Sequence, residues 1–327
     1  MTPSAPLTFT SHEPWLAPLA GYSDLAFRLL CREHGAAVCC TEMISAKGLV
    51  HKSPGTDALL RTHPLDVPLV VQLFGDDADS VSRAMEILLG MGFRHFDLNL
   101  GCSVPKVTRG GSGAALLRDV PKALAVARAM FALAEPGHVG CKLRLGWDNK
   151  DETWRFLAPA LADAGAGWLT LHPRSARQGF TGKVDWKAFA ELAACLSIPL
   201  IASGDLMLAE DGVRCLAAGG PACVMYARGA LRDPAIFTTH KALMAGREPA
   251  VPSPQALRRR IERHVELARA YGGCGERGAL LQMRSIVPRY AHHLPGARLL
   301  RRALCGCGTW EQFAESIEAF FGGTACG

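Results

Sequence analysis

Short β-rich runs alternate with longer amphipathic stretches along most of the chain, and this alternation constrains the fold more than any other feature. The intervening stretches, such as DLAFRLLCREHG and DADSVSRAMEILLGMG, have apolar residues at helical spacing and end on a glycine. Doubly wound sheets share the pattern, but eight repeats favour a closed parallel barrel. We therefore predict an α/β chain with a (β/α)8 TIM barrel, whose strands lie near residues 15, 37, 69, 96, 139, 168, 199 and 222.

The length of the chain leaves room for a second unit after the barrel. A TIM barrel takes about 250 residues, whereas the chain has 327. The proline-rich stretch AGREPAVPSPQ at residues 245–255 follows the last barrel motif. We predict a barrel over residues 1–244, a linker over 245–255 and a helical domain over 256–327.

Membrane and secretory features are missing from the sequence. No apolar run approaches the roughly 18 residues that span a bilayer, and the start MTPSAPLTFTSHEPW has neither a charged n-region nor an apolar h-region. The twelve cysteines are therefore more consistent with reduced thiols than with disulfides. We expect a cytoplasmic protein without membrane association and, because no obligate protein partner is indicated, a monomer.

The cysteines do not follow the spacing of a metal site. The chain has adjacent Cys39 and Cys40 and a CGCG stretch, but no C-x-x-C pair. The alternative is a site built from four dispersed cysteines near the end of the chain, Cys274, Cys305, Cys307 and Cys326. We expect no bound metal.

Polar residues lie near the carboxyl ends of four predicted strands. Within each run they alternate with apolar residues, so they share one face of the strand. In a TIM barrel that end of the strands forms the mouth that holds catalytic groups. Asp97 shares the face of Asn99, and Thr170 shares that of His172. The sequence therefore predicts a polar site at the mouth, formed by Gln72, Asn99, Lys142, Arg144 and His172.

Cys102 follows one of these strands directly. It comes after Gly101 and precedes a loop that contains Gly110, Gly111 and Gly113. Free cysteines are often buried as small apolar residues, so this stretch alone leaves a structural and a chemical role equally open.

The last two predicted strands are each followed by a glycine-containing loop. ASGDL at 202–206 and YARGAL at 226–231 lie where barrels commonly bind phosphate. Gly204 and Gly229 permit close approach of the backbone, and Arg228 supplies a positive charge. Ordinary βα turns are the alternative, but the polar mouth beside them favours a cofactor phosphate.

Taken together, the motifs resemble those of the tRNA-dihydrouridine synthases, FMN enzymes that reduce uridine in tRNA. The likeness runs from about residue 15 to 237, and the tail QMRSIVPRYAHHLPGARLLRRAL is similar to the helical domain of the bacterial B-type subgroup. The motifs that carry it, in order, are LAPLAGYSD, VVQLFG, DLNLGCSVPKVTRGGSGAALL, KLRLGWDN, LTLHPRSARQGFTGKVDW, IPLIASGD and YARGAL.

The resemblance implies a reaction in which NADPH reduces FMN, and the flavin passes a hydride to C6 of uracil. The proton to C5 would then come from Cys102. A thiol with an ordinary pKa of about 8.5 is mostly protonated near neutrality, so it can act as a general acid. The chemical role of this cysteine is therefore the favoured one.

The same resemblance implies a flavin site at the barrel mouth. Gln72 would bond the edge of the isoalloxazine, Lys142 would place positive charge near N1 and O2, and His172 would contact flavin or base. Gly204 and Arg228 would bind the phosphate. The implied cofactor-binding residues are Pro18, Leu19, Ala20, Gln72, Lys142, His172, Ser203, Gly204, Asp205, Ala227 and Arg228.

The implied substrate site must accept a uracil that has left the RNA stack. Asn99 and Arg144 would hold the flipped base. The implied substrate-binding residues are Asn99, Lys106, Arg144, Arg174 and Arg177. The chain departs from the family at Ser103, where proline is usual, and at Pro173 and Ser203.

The stretch 256–302 concentrates the positive charge of the chain. It contains eleven arginines and three glutamates, a net charge of +8 against +6 for the whole chain. We predict that this region binds tRNA, although a solvated helix face is the commoner meaning of a charge run.

Two other functions stay open at this point. A flavin reductase of a free pyrimidine would share the barrel and FMN without requiring the arginine-rich region. A tRNA-binding protein without catalysis would account for Ser103 and Ser203. Flavin content and activity on tRNA against free uracil or orotate discriminate among the three.

Overall fold

The computed structural model describes residues 6–251, 253–273 and 275–323 of the chain. The strands are β1 (Trp15–Leu16), β2 (Val38–Cys40), β3 (Ile44–Ser45), β4 (Leu69–Phe74), β5 (His95–Leu100), β6 (Val139–Arg144), β7 (Trp168–His172), β8 (Leu200–Ala202) and β9 (Cys223–Tyr226).

The helices of the first 244 residues follow the strands as the sequence predicts, and a 3-10 helix (Gly113–Arg118) follows β5. They are α1 (Leu25–Glu33), α2 (Ala46–Val50), α3 (Thr56–Leu59), α4 (Ala78–Gly90), α5 (Pro105–Thr108), α6 (Val120–Phe131), α7 (Thr153–Asp163), α8 (Lys187–Ala193), α9 (Ala209–Ala217), α10 (Arg228–Arg232) and α11 (Ile236–Met244).

The strands close into a parallel barrel. β1 pairs with both β2 and β9, and the ring continues through β4, β5, β6, β7 and β8. All of these pairs are parallel, so the carboxyl ends of the strands meet at one rim. The predicted (β/α)8 barrel is confirmed, with strands at each of the eight predicted places.

The second barrel position is split into two strands, which the sequence did not indicate. β2 pairs with the start of β4 and β3 pairs with its end, while residues 41–43 lie outside both strands. The Thr41 hydroxyl accepts a hydrogen bond from the Gln72 backbone amide at 3.1 Å, which replaces a ladder bond. The break places Met43 at the barrel mouth.

Aromatic side chains fill the amino end of the barrel interior. Trp15 and Trp168 are fully buried with ring centroids 5.8 Å apart, and Phe9 packs 5.2 Å from Trp15. A Cβ at Gly140 would lie only 2.1 Å from the Trp168 ring, so glycine is required there. This end is closed, and the open end of the barrel is the rim at the carboxyl ends.

Four further helices follow residues 245–253: α12 (Pro254–Tyr271), α13 (Gly275–Tyr290), α14 (Ala297–Gly306) and α15 (Trp310–Gly323). α12 packs on α1 of the barrel, where the His264 and Phe27 rings are 5.6 Å apart and Arg263 pairs with Glu33 at 2.7 Å. His264 also bonds the buried Tyr290 hydroxyl at 2.9 Å. Among the described residues, no helix is long and apolar enough to cross a membrane.

Candidate active site

A cavity opens at the carboxyl ends of the barrel strands and collects most of the predicted site residues. The polar side chains of β4 to β7 reach it together with the loops after β1, β8 and β9. The predicted residues that line it are Pro18, Leu19, Ala20, Gln72, Asn99, Cys102, Lys142, Arg144, His172, Ser203, Gly204, Asp205, Ala227 and Arg228.

A chain of hydrogen bonds crosses the floor of this cavity from β4 to β5. The Gln72 side-chain amide donates to Asp97 Oδ2 at 2.7 Å, and the Asn99 amide donates to Gln72 Oε1 at 2.8 Å. Asn99 Oδ1 in turn accepts from the backbone amides of Gly101 at 3.1 Å and Cys102 at 2.9 Å. The asparagine therefore caps the start of the cysteine loop.

The backbone around Cys102 is also held from the other side. Arg144 Nε donates to the Gly101 carbonyl at 2.8 Å, and the Cys102 carbonyl accepts from the Ala114 amide at 2.9 Å. Gly113 has a φ of +61°, and a Cβ there would lie 2.8 Å from that carbonyl. The half-buried thiol thus has a defined position at the cavity wall.

Burial and charge set the protonation of the cavity wall. Loss of solvent lowers the pKa of Lys142 to about 8, and Arg144 beside it adds to the effect. Burial and the Arg144 and Lys142 charges hold the pKa of His172 far below its usual range, so this imidazole is neutral. Lys142 forms no ion pair within the described residues. The wall therefore presents cationic groups suited to an anionic ligand.

Asp205 joins two arginines at the loop after β8. Arg174 Nη1 and Arg228 Nη2 each donate to Asp205 Oδ1 at 2.7 Å, and these bonds to Arg174 above all lower the pKa of the carboxyl. Gly204 has a φ of +117°, and a Cβ there would lie 2.6 Å from His172. The glycine therefore allows this loop to pack directly on the imidazole.

Three predicted substrate residues lie outside the cavity. Arg174 is 1% exposed and also donates to the carbonyl of Thr181, so its guanidinium is occupied within the fold. Its guanidinium is bound to Asp205 in this structure, and its expected substrate contact stays a prediction. Lys106 is exposed on α5, and Arg177 is exposed with Asp148 at 3.7 Å.

The cavity also contains residues that the sequence reasoning did not assign. Phe180 is 61% exposed, and its ring lies 4.5 Å from the Arg228 guanidinium and 5.7 Å from that of Arg144. A large aromatic residue in the polar, glycine-containing stretch RQGFTG was the available signal. Met43 reaches the cavity through the strand break, and Asp97 lies beneath Gln72.

A second concave surface, the basic cleft, lies between α10, α13 and α14. Four arginines and one histidine line it: Arg232, Arg284, Arg289, Arg301 and His292. The cleft is linked to the mouth of the barrel, because α10 begins at Arg228 and ends at Arg232. Arg289 also bonds the hydroxyl of Tyr22, in the loop that supplies Leu19 and Ala20.

The arginines of the 256–302 stretch differ in how they are used. Arg258 pairs with Glu262 at 2.8 Å, and Arg263 pairs with Glu33. Arg284 donates to the backbone carbonyl of Cys307 at 2.9 Å, which fastens α13 to the end of α14. The unpaired positive charge of this stretch is therefore smaller than the sequence indicates, and part of it lies in the basic cleft.

The described part of the chain contains no group of His, Cys, Asp or Glu residues that could hold a metal ion. Two members of the alternative four-cysteine site, Cys274 and Cys326, lie outside the described residues.

Comparisons with known proteins agree with the motifs of the barrel. The family model described as dihydrouridine synthase matches residues 15–321. The chain is 35% identical over 287 residues to a probable tRNA-dihydrouridine synthase of Treponema pallidum, which covers 85% of this chain and 84% of that protein. It is 29% identical to tRNA-dihydrouridine synthase B of Pseudomonas aeruginosa, over 94% of this chain and 92% of that protein.

Among solved structures, morphinone reductase is similar with a TM-score of 0.50 and 13% identity. The match covers 77% of this chain and 87% of that chain, and it concerns the fold alone. The family match extends over nearly the whole described chain, and residues from the motifs line one barrel mouth. The chain belongs to the dihydrouridine synthase family of flavin-dependent oxidoreductases.

Proposed function

We propose that the protein reduces specific uridines of tRNA to 5,6-dihydrouridine, with FMN as cofactor and NADPH as reductant. The observation that carries the proposal is the Cys102 thiol at the wall of a cationic cavity, held there by Asn99 and Arg144. A cytoplasmic location and a monomeric state, both expected from the sequence, belong to the same proposal.

The residues present fit a flavin mononucleotide. Pro18, Leu19 and Ala20 give one wall an apolar surface, while Lys142 stands without an ion pair where a reduced flavin ring would carry negative charge. Arg228 and the backbone at Gly204 would hold the phosphate. When bound, FMN supplies the hydride to C6 of uracil.

The chain's own residues then hold the base and deliver the proton. Asn99 and Arg144 line the cavity beside Cys102, where they would bind the carbonyl edge of an extruded uracil. Phe180 lies over Arg228 and Arg144 at the mouth, and its exposed ring offers a face on which a base can stack. The Cys102 thiol donates its proton to C5.

The basic cleft would hold the tRNA backbone next to that mouth. α10 rises about 6 Å between Arg228 and Arg232, so a strand entering the cavity could continue over the cleft. Arg232 and Arg301 are exposed and form no ion pair in the described part of the chain. They are therefore available to phosphates, unlike Arg258 and Arg263.

Purified protein provides the first test. We expect it to contain non-covalent FMN that NADPH bleaches, and to form dihydrouridine in unmodified tRNA but not in free uracil or orotate. Turnover of a free pyrimidine at the tRNA rate would favour the alternative reductase. Protein that fails to take up added FMN would leave only the alternative of a tRNA-binding protein without catalysis.

A charge-matched pair of variants tests the basic cleft. Arg232→Gln with Arg301→Gln removes two unpaired charges, whereas Arg258→Gln with Arg263→Gln removes two paired ones. Each phosphate contact contributes roughly −0.7 to −0.9 to the slope of log affinity against log salt. We expect the first variant to bind tRNA more weakly and with a flatter slope than the second. Equal slopes would place tRNA binding elsewhere, such as around Lys106 and Arg177.

A further inference from the structure

Asp97 and Gln72 connect the barrel interior to the loop that carries Cys102. Asp97 is 2% exposed and Gln72 1%; Gln72 lines the cavity with Asn99 and Cys102, and Asp97 bonds Gln72 from beneath it. Neither is part of the cysteine loop. Together they provide hydrogen bonds in which the groups at the two ends decide which atom donates and which accepts.

The direction follows from the two ends of the chain of bonds. At one end the carboxylate of Asp97, which is ionised at pH 8, can only accept, so the NH2 group of Gln72 must face it. At the other end the backbone amides of Gly101 and Cys102 can only donate, so the Asn99 oxygen must face them. Both requirements leave the Gln72 oxygen opposite the Asn99 NH2 group, as the structure has them.

We propose that Asp97 is a positioning residue whose carboxylate orients the Gln72 and Asn99 amides and thereby fixes the backbone of the Cys102 loop. This polar relay has three links, of 2.7 Å, 2.8 Å and 2.9 Å, between Asp97, Gln72, Asn99 and the Cys102 amide. The importance of the thiol position for proton delivery rests on the proposed function. The structural effect of the relay does not.

Asp97 fits this role better than that of an ordinary buried carboxyl. Its Oδ1 atom is buried and has no hydrogen-bond partner, so burying this carboxyl costs desolvation free energy. Burial raises the pKa of Asp97 to about 7, which shows the same cost. No described residue forms an ion pair with it. The bond to Gln72 is therefore the main interaction that an acid at this position provides.

Two substitutions separate the acceptor from the charge. Asp97→Asn keeps an oxygen that can accept from Gln72, whereas Asp97→Leu removes every acceptor. Thr170→Val is the matched control: Thr170 is also fully buried in the barrel interior and has an unpartnered hydroxyl, but it pairs in register with Lys142 and lies outside the relay.

Hydrogen–deuterium exchange of the full-length protein at pH 8 tests the polar relay in the absence of substrate. We expect the amides of Gly101 and Cys102 to exchange about tenfold faster in Asp97→Leu, as the loss of one good hydrogen bond implies. Asp97→Asn and Thr170→Val should exchange as the wild type does, and a β6 peptide should be unchanged in all. Unchanged exchange in folded Asp97→Leu overturns the proposal, as does equally fast exchange in Asp97→Asn.

If Asp97→Leu does not fold, Gln72→Met interrupts the same relay at its middle, and the same exchange measurement decides. Kinetics then distinguish positioning from binding. Asp97→Leu should lower kcat for uridine reduction by about tenfold or more with KM within about twofold, and Asp97→Asn should restore kcat. If no variant, including the wild type, reduces uridine, the proposed function fails while the exchange result still stands.

Discussion

At the scale of single residues, Cys102 has the most specific expected effect. Cys102→Ala should leave FMN binding and flavin reduction by NADPH intact, because in the proposed reaction the thiol supplies only the proton to C5. Uridine reduction should fall by about 10²–10⁴-fold, the usual effect of losing a positioned general acid. Dihydrouridine formed in tRNA is the measurement, and Cys195→Ala, an exposed thiol on another surface, is the control. Wild-type turnover would assign the acid elsewhere.

The buried carboxyl of Asp97 gives a prediction about stability and pH. Its folded-state pKa of about 7 lies above the ordinary 3.8 because of burial, which outweighs the bond from Gln72 and the charge of Lys142; Cys40 and Cys141 also face it. The folded state therefore binds more protons between about pH 4 and pH 7, so the wild type loses stability as pH rises through this window.

Asp97→Asn lacks that proton uptake and should gain stability relative to the wild type as pH rises. Between pH 5 and pH 7.5 the difference in unfolding free energy should grow by on the order of 2 kcal/mol. Urea denaturation at these two pH values measures it. A difference that stays constant would mean that this carboxyl titrates near its ordinary value in the fold.

At the scale of elements, the loop after β5 allows a test of one glycine against another. Gly113→Ala places a Cβ 2.8 Å from the Cys102 carbonyl at a φ of +61°, so the loop must shift. In Gly110→Ala the new Cβ lies an ordinary 3.6 Å from the Val107 carbonyl oxygen. We expect Gly113→Ala to lower thermal stability by about 1–3 kcal/mol and to reduce uridine turnover. Gly110→Ala should do neither, and equal effects would contradict this.

The strand positions and most of the residues around the cavity could be predicted from the sequence. The β-rich runs formed strands at all eight predicted places because apolar alternation is a local property, and residues near the carboxyl ends of strands meet automatically in a parallel barrel. Most of the expected site residues, from Gln72 to Arg228, accordingly lie around one cavity. Their chemical roles remain predictions.

What the sequence did not indicate depends on contacts between distant segments. At the break between β2 and β3, the Gln72 backbone amide bonds the Thr41 hydroxyl, a contact between distant segments that no local pattern encodes. Arg174 lies two residues after His172 in the sequence, but its guanidinium is bound by Asp205, in the loop after β8. The sequence of residues 256–302 predicts a uniformly basic surface. The ion pairs of Arg258 and Arg263 with glutamates lower the net positive charge of that surface.

At the scale of the whole molecule, the C-terminal helices and the barrel share a packed interface. Ile261 of α12 is 1% exposed and lies on the helix that packs against α1. Ile261→Ala should destabilise the protein by about 2–4 kcal/mol. Because the interface is common to both parts, we expect one calorimetric transition at a lower Tm. Two separated transitions would indicate that the helical region unfolds independently of the barrel.

The clamp of Arg174 and Arg228 by Asp205 has a consequence for selectivity among anions. The Asp205 carboxylate already neutralises much of the charge of Arg228. An inorganic phosphate or sulfate ion must therefore compete with this carboxylate for the guanidinium. A nucleotide that also fills the apolar wall gains binding energy that a small ion lacks. If this loop binds the phosphate of FMN as proposed, we therefore expect it to favour a flavin nucleotide over free phosphate or sulfate.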